Sequence, residues 1–566
     1  MSERAVVEVS GFRTQPQLDA SGLQRDRQAW LTPARVLVVA FVAAVALLVP
    51  QSSILRILPY SPEVDEPFFV QPAVSIAATG DMDPRWFGHP GSTTIYPLAA
   101  AYYAWSHLPW GGGPAQLVAM ARNLQPIGGR YFLIGRELSV LYAVGGLLLT
   151  FLLGNRMGGW RLGIVAMCVA ASIPLSVSYG QVVRSDSAAT FFGVLSLWAI
   201  HRARTSASFG NVVIAGIGPG LAISSRYFMV ALIPALALSL WLAPASPYAP
   251  STAHAHRFRH VVWLVLAAIV AFALTTPYLF LDWQNAYTSL EAEAEVSHLG
   301  GDGLTFAGNL TWYFVRALPD TLAWPALVMA AIGLATLSRR TLAVWSGPLA
   351  FAAGFLVIIS ISPLHWQRWT IPILPIVSLL AAAGLLETVR RFGRWAHLGI
   401  ARRNMLGLAG LLLVTALPLY QLVNFELSER DGGVRYAARA WILANVPAGS
   451  RILEESYAAP LSGTTYAVDE RFSLAADPSL DDYSHQGYNY LITSSAVDDR
   501  YLAEASRYPV EVNFYHTVQS QLRLVWESHA QQLAVPMLGS VLDDRCACNL
   551  WPVAGPPVIR IYAWSQ

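Results

Sequence analysis

The chain has 566 residues, of which 54% are hydrophobic and only 13% charged. That charged share is about half of the roughly 25% usual in soluble domains, which excludes an ordinary soluble globule for most of the length. The formal net charge of +2, carried on the basic side by arginine with no lysine at all, lacks the basic excess of a nucleic-acid binder, and three cysteines cannot build a disulfide framework.

Residues 1–33 form a polar tail with Arg4, Arg13, Arg25 and Arg27. Apolar stretches long enough to cross a bilayer, about 17–25 residues, follow near 34–51, 132–153, 162–179, 187–202, 209–224, 227–244, 261–281, 322–337, 342–361, 370–387 and 405–423. The sequence therefore predicts a polytopic α-helical membrane protein of about 11 spans. The first run is followed by no small-x-small cleavage site and is read as a retained anchor. A further apolar stretch, 92–108, carries Pro97, His107 and several aromatic residues, and reads as interfacial or re-entrant.

Sidedness follows from arginines in the short loops. Counting spans forward, the side of the tail holds Arg156 and Arg161, Arg202 and Arg204, Arg257 and Arg259, Arg339 and Arg340, then Arg390, Arg391, Arg394, Arg402 and Arg403. Loops on the opposite side hold single arginines: Arg184, Arg226 and Arg368. The tail is thus expected in the cytoplasm. The multi-span module covers 34–425, with outer loops at 52–131 and 282–321, and 426–566 lies outside. In this last region GVRYAARAWILANVP has apolar residues at 434, 437, 438, 441 and 442, one face of a helix. RILEE, YNYLITSS, LRLVWES and VIRIYAW read as strands, so an extracytoplasmic α/β domain is expected.

Two groups of residues could carry chemistry. The first is SPEVDEPFFVQPA, which sets Glu63, Asp65 and Glu66 where the chain has just left the membrane. Acids beside a bilayer are costly unless partnered or functional. A solvated loop or a helix N-terminus that favours acids is the plainer reading. Neighbouring residues on a helix point about 100° apart, so Asp65 and Glu66 are expected to have separate tasks, one facing a cavity and the other its support. WFGHPGSTTIYP then supplies His89 and Tyr96 in a structured loop.

The second group is the single outward arginines: Arg130, Arg136, Arg184 with Asp186 two residues on, Arg226 and Arg368. One such arginine can simply snorkel to headgroups. Five on one face fit a lipid phosphate, which guanidinium forks bind bidentately. Together the two groups suit glycosyl transfer from a polyprenyl-phosphate sugar. The leaving phosphate is already a stable anion, so one carboxylate acting as general base on the acceptor hydroxyl suffices, and direct attack inverts the anomeric centre. A transporter or flippase would place ionisable residues at mid-span. A non-catalytic scaffold with an outer binding domain would need neither group.

The chain resembles the membrane glycosyltransferases of the GT-C fold, in the group containing protein O-mannosyltransferases and aminoarabinose transferases (glycosyltransferase family 39). VDEP at 64–67 looks like that family's acidic motif in the first outer loop, and GHPGSTTIYP like its following His-Pro segment. RELSVLYAVGGLLLTFLLGNRMGG, SIPLSVSYGQVVRSDSAATFF, GLAISSRYFMVALIP, TTPYLFLDW and RWTIPILPIVSLLAAAGL are similar to further family blocks in the same order. The resemblance implies Asp65 as the catalytic acid with Glu66 its partner, and Arg136, Arg184 and Arg368 at the donor phosphate; His89, Tyr96, Asp186 and Arg226 are the supporting candidates from the two groups above. The family mostly has Arg-Tyr where this chain has Arg368-Trp369. It further implies a lipid-linked sugar donor, a glycan, lipid or protein acceptor, a bacterial cell membrane and, in some relatives, a divalent cation, for which His89 and His298 are the candidates.

Overall fold

A computed structural model describes residues 54–55, 58, 63–88, 90–206, 209–243, 253–294, 299, 304–429, 433–475, 480–528 and 557–564. The expected first span at 34–51, the tail arginines, Pro62, His89, His298, Cys546 and Cys548 lie outside these residues, as does the side chain of Arg340.

The described chain is helical up to residue 445 and then turns to mixed helix and strand. Among the described residues, six helices are long and apolar enough to cross a bilayer: Gly129–Gly158, Arg257–Thr275, Phe306–Ala335, Thr341–Ile361, Gln367–Trp395 and Ile400–Leu427. The protein is an integral membrane protein of the polytopic helical class. Each expected span within the described residues has a helical counterpart, but several are short or broken. The expected span 162–179 is two helices, Trp160–Ala171 and Pro174–Gly180, bent by 71°. The cause is Pro174, which opens the second helix; the residue before it, Ile173, is extended at φ −80° and ψ 111°, as the proline ring requires of its predecessor.

The stretch 209–224, with four glycines and a proline, is nevertheless the helix Phe209–Ser225. Its glycines are a packing surface. A Cβ on Gly216 would stand 2.5 Å from the Leu264 carbonyl oxygen, and one on Gly220 would stand 2.5 Å from that of Ala268. Two small residues one turn apart let this backbone lie directly on the helix that begins at Ala253, where dispersion replaces the hydrophobic drive that lipid cannot supply.

The first outer loop is itself a compact helical layer. Pro67 opens the helix Pro67–Thr79, which packs on Ser92–Ser106 and Gly113–Ala121 through Phe69, Val70, Val74, Leu98, Tyr102 and Met120. The apolar stretch at 92–108 is therefore a half-buried helix, Ser92–Ser106, too short to span.

In the C-terminal region the helix Gly433–Asn445 buries Arg435, Ala438, Arg439 and Ile442 against a five-stranded sheet. The strands are β1 (Arg451–Glu455), β2 (Ala467–Arg471), β3 (Tyr490–Ser494), β4 (Arg523–Glu527) and β5 (Ile559–Ala563), in the order β2-β1-β3-β5-β4. β2, β1 and β3 run parallel; β5 pairs antiparallel with β3 and β4. This is the expected α/β domain. β2 escaped the sequence reading because it is an edge strand whose residues, AVDER, are mostly exposed.

A cluster of arginines at the outer acidic loop

The VDEP turn separates its two acids completely. Glu66 is fully buried, and its carboxylate is saturated by donors from three parts of the chain. Oε1 accepts from Arg136 Nε at 2.7 Å and from the Val183 backbone N–H at 3.0 Å; Oε2 accepts from Arg136 Nη2 at 2.7 Å and from the Glu63 backbone N–H at 2.8 Å. Arg136, also fully buried, donates its remaining fork arm to the Ile54 carbonyl at 2.7 Å. The pair therefore ties the outer loop, the helix Gly129–Gly158 and the 181–185 connection to one another. The expectation that Arg136 meets the donor phosphate is corrected here: both arms of its fork are taken by protein acceptors. Arg130, on the first turn of the same helix, is exposed.

Asp65 turns the other way. Its side chain is 36% exposed and its carboxylate forms an ion pair with Nη1 of Arg184, whose side chain is 3% exposed. Arg184 Nε lies 3.2 Å from Asp186 Oδ2. Asp186 is fully buried and opens the helix Asp186–Ser206, a position where the helix dipole favours an acid. Its carboxylate is shared with Arg226 Nη2, 2.8 Å from Oδ2 and 2.7 Å from Oδ1. Arg226 precedes the short turn that starts at Tyr227, and so comes from the junction of two further helices. Charges thus alternate along Asp65, Arg184, Asp186 and Arg226.

Arg368 adds a third cation. It sits in the tight turn Gln367–Ile373 at the head of the helix that follows, with its guanidinium 4.9 Å from the Trp366 ring centroid. It lies near enough to Arg184 and Asp186 to act on both electrostatically. Tyr179 stands between the arginines: the Arg184 guanidinium is 5.5 Å from its ring, and its hydroxyl interacts with Arg368. Three guanidinium groups thus meet two carboxylates. Arg184 Nη2, Arg226 Nε and Arg368 Nε are all buried without a hydrogen-bond partner. Buried donors are nearly always satisfied in folded proteins, and three orphaned donors on one cluster with excess positive charge are groups that an anion can satisfy.

The remaining expected residues lie apart from this cluster or outside view. Tyr96 donates to the Met82 carbonyl at 3.1 Å, which holds the 82–97 loop rather than the acid. Among the described residues no group of three or more His, Cys, Asp or Glu is placed to hold a metal ion. Both carboxylates at the cluster are held by arginines, a donor set suited to an anion. Tyr179 was missed in the sequence because an aromatic residue inside an apolar run carries no mark of its own. Only the fold shows that it packs between two arginines 184 positions apart along the chain, Arg184 and Arg368.

Residues 126–280 match the family of dolichyl-phosphate-mannose-protein mannosyltransferases. The match contains Arg136, Arg184, Asp186 and Arg226, and leaves out Asp65, Glu66 and Arg368. No curated protein matches the sequence. Among solved structures, ArnT from Cupriavidus metallidurans in the apo state is similar at a TM-score of 0.50 with 17% identity, over 83% of this chain and 94% of that chain. ArnT bound to undecaprenyl phosphate gives a TM-score of 0.47 with 14% identity, over 92% and 97%. The archaeal oligosaccharyltransferase AglB from Archaeoglobus fulgidus, in complex with an inhibitory peptide and a dolichol-phosphate, gives 0.45 with 12% identity, over 84% and 71%. The chain has the GT-C fold, and in residues 126–280 it carries the sequence pattern of the dolichyl-phosphate-mannose-protein mannosyltransferase family.

Proposed function

We propose that this protein is a membrane glycosyltransferase that moves a sugar from a polyprenyl-phosphate donor to a hydroxyl acceptor on the outer face of a bacterial cell membrane. The observation that carries the reading is the set of three orphaned, buried guanidinium donors on Arg184, Arg226 and Arg368, beside the half-open carboxylate of Asp65. The fold and the partial family match support the same class.

In this mechanism the arginines hold the phosphate that links sugar to lipid. As the glycosidic bond breaks, charge grows on the phosphate oxygens, and preorganised donors stabilise it without reorganisation. Asp65 takes the proton of the acceptor hydroxyl as it attacks the anomeric carbon from the opposite face, so the configuration inverts. The arriving phosphate competes with Asp65 for Arg184, and the ion pair seen in the free protein opens to release the base. Glu66 and Arg136 act as a strut: they fix the backbone of Asp65 on one side and that of Val183, next to Arg184, on the other.

The test is to incubate the purified protein with a panel of polyprenyl-phosphate sugars and follow which one is consumed. Consumption of one donor, lost in Asp65→Asn, supports the reading. A folded protein that consumes none across a broad panel overturns it.

A further inference from the structure

Arg500 is a cation that the proposed chemistry leaves unused. It lies on the helix Ser495–Ala503, which leaves the end of β3, and it is only 3% exposed. Its Nε is buried without a hydrogen-bond partner, and no carboxylate among the described residues forms an ion pair with it. Two buried acids of the same domain pair with other groups. Asp498 lies 3.2 Å from Arg560 Nη1, and Glu455 accepts from Tyr515, from the Ser494 N–H and from the Leu474 N–H. A desolvated cation with no anion is costly to keep. Two aromatic faces offset part of that cost: the guanidinium lies 5.9 Å from the Tyr457 ring centroid and 5.5 Å from that of Phe472.

The location adds a second argument. From β1 the chain moves to β2 on one side and then to β3 on the other, so the boundary between β1 and β3 is the switch point of the sheet. In open α/β sheets ligands bind outside the carboxyl ends of strands at such a point. Tyr457 lies two residues past the end of β1 and has φ +66°, a conformation unfavourable for a tyrosine. Its carbonyl accepts from Ser494 Oγ, at the end of β3, at 3.4 Å. Tyr457 is also within electrostatic range of Tyr179, the residue that packs on Arg184. One pair of tyrosines therefore separates Arg500 from the arginine cluster of the membrane module.

We propose that Arg500, flanked by Tyr457 and Phe472, is an anion-binding subsite that receives a phosphate or carboxylate carried by the acceptor. The assignment to the acceptor rests on the glycosyltransferase reading; the anion site itself does not. A guanidinium fork matches both groups bidentately, and its place against Tyr457, which is within electrostatic range of Tyr179, would bring an acceptor hydroxyl toward Asp65.

The experiment uses the full-length purified protein saturated with undecaprenyl phosphate, with inorganic phosphate and, separately, acetate as probes. The readout is the melting temperature as each probe is titrated. The expected result is a saturable rise that persists under undecaprenyl phosphate and is lost in Arg500→Met. Arg500→Lys, which keeps the charge without the fork, should weaken the response at least about fivefold; it also serves if Arg500→Met does not fold. Without a probe, Arg500→Met should melt at or above the wild type, because it removes an unpaired buried charge. The stronger of the two probes identifies phosphate or carboxylate as the recognised group. An unchanged response in Arg500→Met, or no response to either probe, overturns the subsite. Loss of donor consumption across the panel with the Arg500-dependent response intact overturns only the glycosyltransferase reading.

Discussion

Asp65 and Arg184 stand 119 positions apart in the chain and meet as an ion pair at the half-open edge of a buried arginine cluster. The pair explains how a carboxylate can be kept oriented until a competing anion arrives. If Asp65 is the base, Asp65→Asn keeps the shape and the lipid-phosphate site but cannot accept a proton. The turnover number should fall by roughly 10²–10⁴-fold, the usual share of general base catalysis. Binding of undecaprenyl phosphate to the same variant should stay at or above the wild-type level, since Arg184 is released. A variant that loses lipid binding as well would place Asp65 in the scaffold instead.

Arg184 should separate donor from acceptor. Its guanidinium faces Asp65 and Asp186 and keeps one buried arm free, so Arg184→Ala removes one phosphate ligand. By analogy with loss of one oxyanion donor, the cost should be about 10²–10³ in rate, with a raised KM for the lipid donor and little change in KM for the acceptor. Steady-state kinetics in both substrates checks this. Equal effects on the two KM values would count against a phosphate role.

The orientation of the protein is also open to direct test. The loop arginines favour the side that carries Arg156, Arg202 and Arg257 as cytoplasmic, which puts the C-terminal domain outside. A cysteine introduced at exposed Asp481 should react with a membrane-impermeant maleimide in intact cells. Labelling only after lysis would invert the topology and place the Asp65 cluster on the wrong face for the proposed donor.

The sequence carried the class of fold and the acids of the site more clearly than the roles of its arginines. Apolar runs of span length are visible without tertiary information, and so is an acidic turn beside a membrane. The breaks are less visible: Pro174 splits one run, and Gly216 with Gly220 turns an unpromising one into a packed helix. Arg136 and Arg184 look alike in sequence, each an arginine at the outer end of an apolar segment. What separates them is which acid each meets, and that depends on long-range packing. Glu66 and the Ile54 carbonyl together occupy Arg136, whereas Asp65 and Asp186 leave part of Arg184 free. Arg500 had no signal at all, because its distinction is the lack of a partner.

Glu66 and Arg136 should behave as a structural pair. Removing one member leaves an uncompensated charge in a site with no solvent access, at a cost of about 3–5 kcal/mol. Glu66→Gln and Arg136→Met should each lower the melting temperature and the yield of monodisperse protein. The double variant Glu66→Leu with Arg136→Met should recover much of the loss, since two apolar groups need no partner. Recovery of stability without recovery of activity would show that the strut positions Asp65. Normal stability in both single variants would remove it from the framework.

The C-terminal domain should lose stability as pH rises. Burial pushes the Glu455 carboxyl from 4.5 up to about 8, against the opposing hydrogen bonds from Tyr515, Ser494 and Leu474. Burial likewise raises Asp498 from 3.8 to about 6. In each case the folded state holds a proton that the unfolded chain releases at lower pH. Between about pH 4.5 and 8 the folded domain therefore binds more protons than the unfolded one, and raising the pH favours unfolding. For Glu455 alone the slope is up to about 1.4 kcal/mol per pH unit in that window. The melting temperature of the purified protein should fall from pH 5.5 to pH 8. Glu455→Gln should flatten that slope but not abolish it, because Glu454 is also pushed upward by burial and by its neighbour Glu470. An identical slope in the variant would show that Glu455 is already ionised in the folded domain.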